Sequence, residues 1–113
     1  MGQIKVEKNV GGIEGLAVIT PTVHGDDRGY FMETFNQRDM MDAGFSINFV
    51  QDNQSSSTKG VLRGLHFQKK YPQIKLVRAV RGSVFDVAVD QSRRCTAAPP
   101  SRPVCVLLPG CSR

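Results

Sequence analysis

The stretch Gly60-Val61-Leu62-Arg63-Gly64-Leu65-His66-Phe67-Gln68 sets one arginine and one histidine three positions apart in an otherwise apolar run punctuated by glycine. Along a strand, three positions mean opposite faces, because side chains alternate with period two. A bulge at Gly64 would bring Arg63 and His66 onto one face. A base and a cation lining one cavity suit proton abstraction beside a carbonyl: the imidazole has an unperturbed pKa near neutrality, and positive charge stabilises the enolate that forms. A histidine in such a run serves equally well as a core residue bonded to a backbone carbonyl, so the motif alone leaves both readings open.

Other polar residues in ordered blocks surround it. Upstream lies Asp26-Asp27-Arg28-Gly29-Tyr30-Phe31-Met32-Glu33, followed by Phe49-Val50-Gln51-Asp52-Asn53; downstream come Lys75-Leu76-Val77-Arg78 and Val84-Phe85-Asp86-Val87-Ala88-Val89-Asp90. Gln51 and Asn53 alternate and share a strand face, presenting two amides together. In order and spacing these blocks resemble the N-terminal half of the dTDP-4-dehydrorhamnose 3,5-epimerase family, over about residues 10–90. The resemblance implies an all-β, cupin-type (jelly-roll) barrel, here incomplete and with one short helix.

The implied reaction inverts carbons 3 and 5 of dTDP-4-dehydro-6-deoxy-D-glucose to give dTDP-4-dehydro-L-rhamnose, a step of dTDP-rhamnose biosynthesis. The partner is then a dTDP-linked 4-keto-6-deoxyhexose, and no metal or other cofactor is needed. By resemblance His66 is the proton acceptor and Lys75 stands near the keto oxygen. Arg63 matches a substrate-binding position, Arg28 and Glu33 match nucleotide-binding positions, and Gln51 and Asn53 face the sugar nucleotide. Arginine suits a diphosphate because its planar fork donates paired hydrogen bonds.

Two departures from the family pattern stand out. The segment between His66 and Lys75 is one residue shorter than usual, and Ile74 replaces a small residue before the lysine. The family's tyrosine acid and histidine-orienting aspartate belong beyond residue 90. Tyr30, Tyr71 and Asp86 do not stand at those places. The expectation is a fragment with impaired activity. The alternatives are a non-catalytic sugar-nucleotide-binding or strand-pairing half-barrel, and a related dTDP-sugar epimerase or ketoisomerase.

The elements that must position these residues read as short strands: Leu16–Thr20 closed by Pro21, Gly29–Phe35, Ile47–Gln51, Val61–Gln68, Lys75–Val80 and Val84–Val89. Gly82 supplies a turn between the last two. A short helix is expected over 36–43, with Asn36 as N-cap and Gly44 as its stop. Residues 52–60 form a polar loop. The acid inside 84–89 requires a partner or a chemical role for Asp86. His24 is expected exposed in a loop.

The formal net charge of +5 does not indicate nucleic-acid binding. Residues 1–90 hold 11 basic and 10 acidic side chains, whereas 91–113 hold four arginines and no acid. That tail also carries all three cysteines, Cys95, Cys105 and Cys111, at spacings that match no zinc pattern, and four of the six prolines. The two histidines lie too far apart in sequence for the His-x-His set of metal-binding cupins. Residues 1–90 are therefore expected to be the epimerase-like part and 91–113 an atypical tail, frameshifted, disordered or authentically divergent. Within the tail Val104–Leu108 has the composition of a strand, with nothing nearby to set its register. With no signal-peptide pattern and no apolar run long enough to span a bilayer, the expected location is the cytoplasm. Unclosed sheet edges predict a homodimer through strand exchange.

Overall fold

The computed structural model describes residues 3–66, 68, 70, 71, 73–89 and 105–108. These form an all-β arrangement with one short α-helix and a 3-10 turn at Val10–Gly12, and among the described residues no barrel closes. Strands β1 (Ile4–Lys8) and β2 (Ala17–Pro21) pair antiparallel, with Val6 opposite Ile19. The alternation Ile4-Lys5-Val6-Glu7 explains β1: its apolar residues are half-buried and its charged ones exposed. Strands β3 (Val23–Asp26) and β4 (Gly29–Met32) make a separate hairpin around Asp27 and Arg28. Gly29, at φ 142°, takes the chain out of that turn where a side chain would be strained.

Helix α1 (Gln37–Asp42) forms where its caps demand it. The Asn36 side chain accepts from the backbone N–H groups of Arg38 and Asp39 at 3.0 and 3.2 Å. At the other end Gly44 has φ 93°, its N–H donates to the Met41 carbonyl, and the Phe45 N–H donates to the Met40 carbonyl. This pair of bonds is the Schellman stop. A bond from the Gln3 N–H to the Asp39 carboxylate, 2.9 Å, ties the helix to the N-terminal strand. Met40, only 3% exposed, packs on Ile19 at 2%, and Ile4, Val6, Phe45 and Leu76 surround the pair.

Strand β5 (Lys75–Arg78) lies beyond β6 (Cys105–Leu108) in a four-stranded sheet ordered β1-β2-β6-β5. β6 runs parallel to both neighbours, with Ala17 opposite Val106 on one side and Lys75 opposite Cys105 on the other. The register left open in the sequence is thus set by β2 and β5. The rest of the tail, with Cys95 and Cys111, lies outside the described residues, as do Phe67 of the 61–68 segment and Asp90.

Several expected strands do not form. Residues 47–51, 61–66 and 84–89 are irregular. A strand needs a partner ladder, and none reaches these segments among the described residues; Leu62 and Phe85 are each 93% exposed. Gly82 does turn with φ 76°, but the segment it leads into, 84–89, pairs with no strand among the described residues. His24 lies on β3 rather than in a loop, its ring Nε2 3.1 Å from the Gln3 side-chain oxygen.

Candidate active site

Around the β3–β4 turn the local sequence Asp26-Asp27-Arg28-Gly29 folds back on itself. The Arg28 backbone N–H donates to Asp26 Oδ1 at 2.9 Å, and its Nε donates to Oδ2 at 3.1 Å. This ion pair, completed by a second guanidinium nitrogen, holds the Asp26 carboxyl below the usual value and raises Arg28. The side-chain bond is the larger cause for Asp26, and the Arg28 backbone bond adds to it. His24, Asp26, Arg28, Tyr30 and Phe31 line an open groove of about 460 Å³ here. Glu33 follows β4, and its carboxylate accepts from the Asn36 amide, so one asparagine both caps α1 and fixes Glu33.

Gln51 and Asn53 are exposed and joined, the Gln51 amide donating to the Asn53 side-chain oxygen at 3.3 Å. The strand whose alternation would put them on one face does not form here, and the link between them is this side-chain bond. The segment ahead of them is shaped by an edge-to-face contact between Phe35 and Phe49, ring centres 5.6 Å apart, and by a bond from the Gln37 amide to the Ile47 carbonyl.

Arg63 is engaged with the polar loop. Its Nε donates to Ser57 Oγ at 3.0 Å and its other guanidinium nitrogen to the Ser56 carbonyl at 3.1 Å. Gly64 turns the backbone at φ 115°; a β-carbon built there would lie 3.8 Å from His66 Nδ1, so conformation rather than space calls for glycine. His66 is exposed in an irregular segment and Lys75, also exposed, opens β5. No hydrogen bond links His66 to Arg63 or Lys75 among the described residues. Asp86 is exposed, with no bonded partner there either.

Three contacts at these residues were not anticipated: Asp26 on Arg28, Asn36 on Glu33, and Ser56 with Ser57 on Arg63. The Asp-x-Arg spacing at a glycine turn is a signal for the first. Nothing in the sequence marks the third, which joins two loop segments.

Arrangement and chemistry together describe an arginine at a turn, a pair of amides, and an exposed histidine and an exposed lysine on separate segments. The sequence profile described as dTDP-4-dehydrorhamnose 3,5-epimerase matches residues 11–98, which include every one of these side chains. The protein of that name from Methanothermobacter thermautotrophicus is 58% identical over 78 residues, covering 69% of this chain and 42% of the relative. The Shigella flexneri protein of the same name is 55% identical over 92 residues, 80% of this chain and 48% of the relative. For the Escherichia coli protein, also of that name, identity is 56% over 80 residues, 69% of this chain and 43% of the relative. The chain therefore spans a little under half the length of the curated relatives it matches. No solved structure gives a significant match. A profile match over most of the chain, with identities above one half, carries the assignment: the chain belongs to the dTDP-4-dehydrorhamnose 3,5-epimerase family.

Proposed function

We propose that this chain carries the proton-abstracting half of a sugar-nucleotide epimerase site. The substrate is dTDP-4-dehydro-6-deoxy-D-glucose. His66 removes a proton next to the 4-keto group, and Lys75 stabilises the enolate oxygen. Arg63 holds the sugar, Arg28 and Glu33 hold the nucleotide, and Gln51 and Asn53 bind the sugar nucleotide through their paired amides. A single observation supports this reading: the family profile spans all seven positions, matching residues 11–98. Exposure of His66 and Lys75 is compatible with substrate access, while leaving the enolate in water, where stabilising charge is weak. Turnover by this chain alone is accordingly at least ~100-fold below that of a full-length relative, the contribution of one general acid.

The test is exchange in D₂O. Solvent deuterium enters carbon 3 or 5 of the substrate, followed by NMR, and His66→Asn abolishes it while leaving nucleotide binding in place. Binding of dTDP without any exchange in the unaltered chain would sink the catalytic reading. It would favour the second one, a sugar-nucleotide-binding half-barrel, for which the uncovered side chains of Leu62 and Phe85 speak. Homodimerisation through strand exchange and a cytoplasmic location belong to the same proposal. Open sheet edges support the first; for the second, among the described residues no helix is long and apolar enough to cross a membrane.

A further inference from the structure

The family profile ends at residue 98, yet the strand at the centre of the sheet is Cys105–Leu108. Among the described residues, β5 makes its backbone pairing with β6 alone, in the register Lys75–Cys105, Leu76–Val106, Val77–Leu107 and Arg78–Leu108. β6 in turn pairs with β2 through Ala17–Val106 and Val18–Leu107. Among the described residues, the strand that opens with Lys75 is therefore hydrogen-bonded into the sheet of the β1–β2 hairpin only by way of a segment outside the family match. Leu76, packed against the Ile19–Met40 pair, is its one side-chain hold on the core among the described residues.

We infer that residues 105–108 act as a strand clasp: inserted parallel between β2 and β5, they hold the Lys75 strand on the core and thereby position Lys75. A four-residue strand with one half-buried side chain has too little apolar contact to stay ordered without a ladder. A central strand supplies ladders on both sides, because successive backbone N–H and C=O groups point to alternate neighbours. That Lys75 matters for chemistry rests on the function proposed above; the attachment of β5 does not.

Proline in β6 removes a ladder donor and is not tolerated inside a sheet. Amide hydrogen exchange, read by NMR on the full chain, is compared with that of the Val106→Pro/Leu107→Pro variant. The unaltered chain shows protected amides within 76–78, and the variant loses at least 10-fold of that protection while β1 amides keep theirs. Unprotected 76–78 amides in the unaltered chain, or unchanged protection in the variant, overturn the clasp. Should the prolines unfold β1 as well, a second measurement decides. With Cys95, Cys105 and Cys111 replaced by serine, Val77→Cys and Leu107→Cys form a disulfide on mild oxidation if the strands are neighbours, since Cα atoms more than about 7 Å apart cannot be bridged; no crosslink overturns the proposal. Deuterium incorporation into substrate is measured separately. If the unaltered chain lacks it, the epimerase reading fails and the clasp still stands on the amide and crosslink results.

Discussion

At Arg28 the groups that would meet a diphosphate are already engaged by Asp26, through the side chain and the backbone together. In the proposed site a bound nucleotide would compete with that carboxylate for the guanidinium, and the carboxylate would also repel it. Asp26→Asn keeps an oxygen for the Arg28 backbone N–H and removes the charge. It is expected to tighten dTDP binding roughly two- to five-fold, since exposed ion pairs are weak; titration calorimetry checks this, and weaker binding would show that Asp26 serves the site in another way. The pH dependence has a definite sign. Asp26 is held below its ordinary value of 3.8, so what the pair adds to folding is present above that pH and is lost as pH falls through the folded-state value. Arg63 faces a similar competition, with the Ser57 hydroxyl and the Ser56 carbonyl as its present partners.

Among the elements, helix α1 has the most complete local design. One turn and a half of helix is too short to persist by propensity. It is held by the Asn36 cap, the Schellman stop at Gly44 and Phe45, and Met40 in the core. Replacing Asn36 with alanine removes two accepted bonds at the N-terminus and is expected to cost ~1 kcal/mol. It also releases Glu33, so if Glu33 holds the nucleotide as proposed, the loss of stability should come with weaker nucleotide binding. Met40→Ala empties the centre of a very small core and should cost ~2–5 kcal/mol. Against the ~5–15 kcal/mol typical of a domain, that is a large share, and the midpoint of urea unfolding should fall clearly. A Met40→Ala chain with an unchanged unfolding midpoint would refute the assignment of the Ile19–Met40 pair as the core.

Across the whole molecule, burial is scarce. Leu16, Ala17, Ile19 and Met40 are the buried apolar residues among those described, while Val50, Leu62, Leu65, Val84 and Phe85 stand in solvent. The radius of gyration, 15.7 Å, exceeds the ~13 Å of a compact chain of this length. Apolar segments left without ladders associate readily. The isolated chain is therefore expected to bind 8-anilinonaphthalene sulfonate and to elute as a dimer or larger species with light-scattering detection. A monodisperse monomer that leaves the dye dark would contradict this.

Much of what is local could be read from the sequence. Asn36 and Gly44 bracket α1 because caps act within a few residues of the chain. Lys75 begins a strand as its β-branched surroundings suggest, and the ordered polar blocks identify the family through residue types alone. β1 and β3 are not among the strands expected from the sequence, although the alternation in Ile4–Lys8 is a local signal for the first. The chain did not reveal by itself which strands find partners. Val84–Val89 has the composition of a strand and remains irregular, whereas Cys105–Leu108 is placed at the centre of the sheet. Composition sets a segment's preference for extended backbone, but a strand exists only when another chain segment offers its N–H and C=O groups in register. That decision belongs to the tertiary structure, which also turned Arg63 toward Ser57 and left His66 in solvent.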